Sequence, residues 1–394
     1  MLIQSLLDTD LYKFSMLQLV WRRFPDTRVR YRFYCRSNDT DFSGIELRLK
    51  EEIAGLSGLS LSEAELDYLR SLGFFREDFL GWLRLFRPEP ARIHYQFRNG
   101  QLELEIAGLW AETILFEIPL LAMISELFLE SQGPEIFRIL EDRLETKMAE
   151  FAAIGAGKFT FTDFGTRRRA SRHWQREVLF RFMERFPGSV AGSSNLLLAK
   201  ESGLAPVGTM AHEYLQACQV LSGSVVRSQE FALKLWAEEY EAPMRIALTD
   251  VIGLGSFLSE FSPDLARSYS GVRHDSGDPF SFGEAMIRFY QKLGIDPLEK
   301  SLIFSDSLNF QLAREISDRF RGRIDVKFGI GTFLTNDRAA GCANIVIKMT
   351  HCNGMPVAKI SDNPDKSICE DAEYYKKVLE YRNRFCTSFL HSPV

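Results

Sequence analysis

The sequence predicts an α/β protein whose middle folds as a (β/α) barrel or an open doubly wound sheet and whose two ends carry antiparallel strands. Three observations lead there. From about residue 134 to 340, short apolar runs alternate with a polar or glycine-bearing turn and then a helical pattern, the rhythm of parallel βα units. Before about 134, strand-like segments alternate apolar and polar residues with period two, which suits a sheet solvated on one face. After about 340, NIVIKMT and MPVAKIS look like antiparallel strands again and are placed to rejoin the first part. A chain of 394 residues has room for two or three domains. The expected divisions are 1–133, 134–340 and 341–394, the last returning to the first.

Each element follows from local chemistry. In TRVRYRFYC, Arg28, Arg30 and Arg32 alternate with Val29, Tyr31 and Phe33, so the arginines form the solvated face of a half-buried strand. RIHYQFRNGQLELEI puts Ile93, Tyr95 and Phe97 on one strand face and Leu102, Leu104 and Ile106 on the face of the next. Asn99-Gly100 between them is a strong type I′ hairpin signal, because both residue types tolerate positive φ. Amphipathic helices are expected near 62–72 and 75–86. Residues 108–130 are the most apolar stretch, but Glu112, Glu117, Pro119 and Glu126 interrupt it, so it reads as a buried helix or helix pair and not a membrane span. Pro134 fits the first turn of a helix running through about 153. Then KFTFTDFG leads into RASRHWQREVLFRFMERF, PMRIALTDVIG into a helix near 253–260, YSGVRHDSG into PFSFGEAMIRFYQKLG, and KSLIFSDSL into NFQLAREISDRF, with RIDVKFGIG following. In barrels and doubly wound sheets alike, chemistry gathers at the C-terminal ends of the strands.

Composition narrows the function classes. A net charge of −5 and a pI near 5.8 supply no global basic field for a nucleic acid or an anionic membrane, so an anionic substrate must meet local basic clusters. The six cysteines (Cys35, Cys218, Cys342, Cys352, Cys369 and Cys386) are scattered with no CxxC pair, and MLIQSLLDTDLYKF has no basic n-region. These features lead us to expect a soluble, reduced, cytoplasmic protein. No GxSxG elbow, Walker loop or GxGxxG turn is present, and His212-Glu213 lacks the second histidine of a zinc helix.

Four motifs carry candidate chemistry. Asp163-Phe164-Gly165-Thr166-Arg167-Arg168-Arg169 lies at a strand end, where guanidinium groups and helix-start N–H groups suit an anion and Phe164 suits a flat ring. The plain alternative is a solvated basic helix start. Gly208-Thr209-Met210-Ala211-His212 places a histidine after a small-residue turn, which suits a nucleophile or phosphate ligand but on its own is a weak signal. Arg273-His274-Asp275-Ser276-Gly277-Asp278 combines a phosphate-binding group with carboxylates that could take ribose hydroxyls or water-bound Mg²⁺, against the alternative of an ordinary polar turn. Phe304-Ser305-Asp306-Ser307 and Phe328-Gly329-Ile330-Gly331-Thr332 end two strands, the second as a possible anion nest.

Together LLDTDLYKFSMLQ, FTDFGTRRRAS, GSSNLLLAKESGLAPVGTMAHEY, LTDVIG, GVRHDSGDP, FSDSLN, FGIGTFL and IVIKM resemble the nicotinate phosphoribosyltransferase family, nearly end to end. The resemblance implies a type II phosphoribosyltransferase. Its fold would be an incomplete (β/α) barrel beside a mixed α/β domain built from both chain ends, assembled as a homodimer with active sites at the subunit interface. It implies that nicotinate and phosphoribosyl pyrophosphate give nicotinate mononucleotide and pyrophosphate. ATP would be a co-substrate through a phosphorylated His212, and Mg²⁺ would be held by the diphosphate and water near Asp250 and Asp275. By the same resemblance Phe164 stacks on the pyridine ring, Arg167 meets its carboxylate, and Tyr12, with Asp10 beside it, closes the other face from the partner subunit. Arg273 and Asp275 contact phosphate and ribose, Asp306 reaches ribose, Asp250 orients His212 or holds metal-bound water, and Gly329, Gly331 and Thr332 receive the 5′-phosphate. The nicotinamide-using relatives carry an Asp where this chain has Ser194, so Ser194 bears on the choice of base; it could equally be a helix N-cap. A nicotinamide-using enzyme and a non-catalytic metabolite-binding relative remain as alternatives.

Overall fold

The computed structural model describes residues 1–37, 40–155, 157–337 and 342–385; Cys386 and the expected division at 340/341 lie outside them. After a first helix, Leu11–Arg23, come three antiparallel strands, β1 (Arg28–Cys35), β2 (Ile93–Arg98) and β3 (Gln101–Leu109). On β1, Val29, Tyr31 and Phe33 are buried and the alternating arginines are exposed, because successive side chains of a strand face opposite sides. The hairpin forms where expected, with Asn99 at φ 50° and Gly100 at φ 76° and Arg98 paired to Gln101. The helices Glu63–Ser71 and Glu77–Leu85 fill the connection, the former started by a Ser62/Glu65 capping box. The apolar stretch becomes the short helix Trp110–Thr113 and the buried helix Glu117–Glu130. Its two buried acids, Glu117 and Glu126, are tolerated because each meets a buried cation: Glu117 lies 2.5 Å from Lys13 and Glu126 2.7 Å from Arg169.

The central region forms a seven-stranded sheet: β4 (Phe161–Asp163), β5 (Val190–Ser193), β6 (Ala205–Pro206), β7 (Ile246–Leu248), β8 (Gly271–His274), β9 (Ser301–Phe304) and β10 (Asp325–Ile330). Their order is β6-β5-β4-β10-β9-β8-β7, with every neighbouring pair parallel. The sheet is therefore open between β6 and β7, an incomplete barrel. Phenylalanines hold helices to it: the Phe151 ring meets Phe161 and Phe182 at 5.8 Å and Phe310 at 4.9 Å. Caps start the helices that follow the strands, at Ser171, Asp278 and Asn309.

The chain ends return as anticipated, but not wholly. β11 (Ile345–Cys352) pairs antiparallel with β1, and β12 (Met355–Pro356) completes a sheet ordered β12-β11-β1-β3-β2. The strand expected over MPVAKIS stops after two residues. Residues 357–361 instead leave the sheet for the barrel, where the Ile360 N–H donates to Val251 at 2.8 Å. The first helix packs on the N-terminal helices through Phe14 and Trp21, and its first turn also meets the barrel. Leu11 N–H donates to Ser194 at 2.7 Å, Leu196 N–H to Thr9 at 2.9 Å, and the Ser15 hydroxyl to the Thr209 carbonyl at 2.6 Å. Both chain ends thus lie at the rim of the barrel. Among the described residues, no helix is long and apolar enough to cross a membrane.

Candidate active site

A cavity of about 450 Å³ opens at the C-terminal ends of the barrel strands. Six of the seven strand loops supply part of its wall: Phe164 and Arg167 after β4, Ser194 after β5, His212 after β6, Asp275 after β8, Asp306 after β9, and Gly331 with Thr332 after β10. The chain ends supply the rest, Asp10 and Tyr12 before and in the first helix and Lys348, Lys359 and Lys366 from the returning segment.

Part of the wall is aromatic, from Tyr12, Phe164 and Phe333. Phe164 lies over β10, and a Cβ on Gly329 would come within 2.4 Å of its ring. Gly329 itself is not part of the cavity wall, where Gly331 and Thr332 stand; it is a glycine so that the Phe164 ring can approach the strand. Tyr12 lines the cavity of its own chain. The hydrogen bonds of Leu11 and Ser15 tie the first helix to its own barrel, so this chain's Tyr12 lines the cavity from within the same chain and not from a partner.

The three successive arginines divide into distinct tasks. Arg167 faces the cavity. Arg168 also lines it, and its Nε donates to the Ile345 carbonyl at 3.1 Å. Arg169 is only 1% exposed and donates to Asp8 at 2.6 and 2.8 Å and to Glu126 at 2.7 Å. The reading as a solvated basic helix start fails on that burial, and the segment starts only the 3₁₀ turn Thr166–Arg168. Ser194 is not the N-cap of the helix Leu196–Ser202; Asn195 is, accepting from Leu198 N–H at 2.9 Å. The Ser194 hydroxyl instead donates to Asp10 at 2.7 Å.

Another part of the site is a charged cluster around His212. His212 begins the helix His212–Leu221. Its Nε2 lies 2.7 Å from Asp250 Oδ1 and 3.6 Å from Asp275 Oδ2. Asp250 does not reach the cavity; its other oxygen takes the Ser276 hydroxyl at 2.7 Å and the Lys359 ammonium at 3.0 Å. Burial, reinforced by Lys359, holds the imidazole down at about 4 although Asp250 pulls the other way. Burial works to raise Asp250, but Lys359 and His212 outweigh it and keep the carboxyl well below its ordinary value. A neutral imidazole beside an ionised Asp250 results at neutral pH, with Nε2–H turned to the carboxylate. Asp275 is held at about 2, since His212 and Arg273 outweigh its burial. It accepts from Ser305 at 2.9 Å. Arg273 lines the cavity, and its buried Nε makes no hydrogen bond. Asp306 pairs with Lys366.

His212, Asp250 and Asp275 each offer a ligand atom, all within 4.8 Å of one another. Asp250 is already engaged by a histidine, a hydroxyl and an ammonium, which disfavours a cation bound directly to it. Asp275 is 27% exposed and fits a Mg²⁺ held through water.

The motifs pointed to most of this site but missed Lys348, Lys359 and Lys366. For Lys348 and Lys359 the signal available was a lone lysine within each of the apolar runs NIVIKMT and PVAKIS; Lys366, in the polar stretch DNPDKS, carried none. Burial lowers Lys348 to about 7, against the opposing pull of Glu117.

Comparisons with known proteins agree with this architecture. Residues 159–388 match the nicotinate phosphoribosyltransferase (NAPRTase) family, and residues 7–125 match the NAPRTase N-terminal domain. The chain is 45% identical over 384 residues to a nicotinate phosphoribosyltransferase from Acidovorax sp. (strain JS42), covering 95% of this chain and 96% of that one. It is 44% identical over 392 residues to one from Verminephrobacter eiseniae (strain EF01-2), covering 95% and 97%. The crystal structure of a nicotinate phosphoribosyltransferase from Vibrio cholerae superposes with a TM-score of 0.90 at 39% identity, covering 97% of this chain and 94% of that chain.

Proposed function

The chain belongs to the nicotinate phosphoribosyltransferase family, and on that premise we propose that it joins nicotinate to phosphoribosyl pyrophosphate, with ATP hydrolysis coupled through a phosphorylated His212. It is a transferase of pyridine nucleotide biosynthesis. The observation that carries the reading is one cavity lined by the rings of Phe164 and Tyr12, by the cations Arg167, Arg273, Lys359 and Lys366, and by Asp275. A flat anionic base suits the two rings with Arg167, and a diphosphate suits the other cations.

In the reaction the pyridine nitrogen attacks C1′ of the sugar as the bond from C1′ to the diphosphate oxygen breaks, and the electron pair leaves with the diphosphate. Positive charge develops on the sugar, where the ionised Asp275 stabilises it. Arg273 and the lysines hold the departing anion, Gly331 and Thr332 accommodate the 5′-phosphate, and Phe164 and Tyr12 keep the ring in line. Mg²⁺, when bound, neutralises diphosphate charge. Asp250 occupies Nε2 of His212, which leaves the Nδ1 lone pair as the phosphoryl acceptor. A phosphate there would lie beside the diphosphate subsite and change its charge.

ATP should therefore label the protein with an acid-labile, base-stable phosphate. His212→Asn should abolish the label and the stimulation by ATP while some ATP-independent transfer survives. Persistent labelling of the variant would remove His212 from this role. A parallel assay with nicotinate, nicotinamide and quinolinate, each with and without ATP, tests the choice of base.

A further inference from the structure

Asp10 and Ser194 are held against each other and cannot separate without unpicking the backbone around them. Leu11 N–H donates to the Ser194 carbonyl at 2.7 Å, Ser194 N–H to the Asp163 carbonyl at 2.8 Å, and Asp10 forms a β-bridge with Asn195. Asp10 is 5% and Ser194 3% exposed, yet both line the cavity wall beside Arg167. Ser194 donates its hydroxyl proton to Asp10 at 2.7 Å.

A hydroxyl carries one proton. While Asp10 is ionised, that proton points at Asp10 and Ser194 turns only lone pairs toward a ligand. A neutral Asp10 carries its own proton and can donate it to the Ser194 oxygen. The hydroxyl proton is then free to donate into the cavity. A carboxylate on the base requires a donor, whereas the NH₂ of a carboxamide requires an acceptor.

We propose that Asp10 and Ser194 form a proton-operated selector of the base: the neutral acid turns the Ser194 hydroxyl toward a substrate carboxylate, and the ionised acid turns it away. Asp10 is then a positioning residue that acts through Ser194. The inference rests on the reading that this cavity takes nicotinate. The groups facing Asp10 are Asp163 at the end of β4, Thr166 and Arg167 in the following turn, Ser194, and Tyr12 on the first helix. Burial raises the acid, as does Asp163, while Ser194, Thr166 and Arg167 oppose, leaving it at about 6. The switch therefore falls where the enzyme can be assayed in both states.

The test is the pH dependence of kcat/KM, which reports groups of the free enzyme, for nicotinate and for nicotinamide with phosphoribosyl pyrophosphate. For nicotinate it should fall about tenfold per pH unit above an inflection near 6, and for nicotinamide it should not. Asp10→Asn, permanently neutral and able to donate to Ser194, should lack that inflection. Ser194→Ala, which has no hydroxyl to turn, should lack it too. Should Asp10→Asn fail to fold, Ser194→Ala decides alone. Lys348 also titrates near 7, and its contribution persists in both variants. A wild-type profile without the inflection, or an inflection that survives in Ser194→Ala, overturns the selector. Failure of the underlying reading looks different, as wild-type protein that turns over no nicotinate at any pH.

Discussion

Lys359 shows how one side chain can set the chemistry of another without touching it. It contacts Asp250, and Asp250 contacts His212. Its charge also disfavours the imidazolium directly. Lys359→Met should therefore raise His212 from about 4, and the loss of ATP-dependent labelling on acidification should move to higher pH, because only the neutral ring is nucleophilic. A pH profile of phosphohistidine formation checks this; a uniform loss with no displacement of the acid limb would mean that Lys359 is only structural. Ser194 supports a second expectation. Ser194→Asp would set a carboxylate against Asp10 and against the base carboxylate. Two such charges about 4 Å apart repel by on the order of 4 kcal/mol at an effective dielectric near 20. We expect kcat/KM for nicotinate to fall at least about tenfold and its advantage over nicotinamide to narrow, with Ser194→Ala milder because it adds no charge. An unchanged kcat/KM in Ser194→Asp would mean that residue 194 does not face the ring substituent.

Among the elements, the strand-loop-helix units carry their instructions locally. Phe161–Asp163 is wholly buried, as a strand of a covered parallel sheet should be, and the helix that follows begins at its own Ser171 cap. Those features were legible because they repeat over a few residues. The role of Gly329 was not, since the ring that excludes a Cβ comes from another strand's loop. Gly329→Ala should force the Phe164 ring off β10, with a stability loss of about 1–3 kcal/mol from overpacking and a raised KM for the base. Thermal unfolding and steady-state kinetics measure the two separately; wild-type KM in a folded variant would mean that Phe164 does not wall the base subsite. The end of the strand over MPVAKIS was equally hidden, because the Asp250 that draws Lys359 away belongs to a distant segment.

At the scale of the molecule, the cavity is closed by the two chain ends acting on their own barrel. Lys13 stands between Glu117 at 2.5 Å and Glu213 at 2.6 Å, so the first helix is pinned to the helix that begins with His212. Tyr12 and His212 are the sequence neighbours of that pair. With Tyr12 and Arg167 in one chain's cavity, mixing inactive Tyr12→Ala with inactive Arg167→Ala should restore no activity even after verified subunit exchange. Recovery of a substantial fraction of wild-type turnover would mean that the sites are shared between subunits.

By itself the sequence determined the fold class, the hairpin, the rhythm of the barrel and the family, and it singled out Phe164, Arg167, His212 and Asp275, which line the cavity. Periodicity, turn chemistry and ordered motifs are local properties, and they are written along the chain. Tertiary structure alone decided that Tyr12 lines the cavity of its own chain, that Arg169 is buried among acids, that Asp250 sits behind His212, and that Ser194 bonds Asp10. These outcomes depend on which buried charge or hydroxyl finds which partner. The cost of leaving such a group unpaired acts through space, between residues that no spacing in the sequence connects.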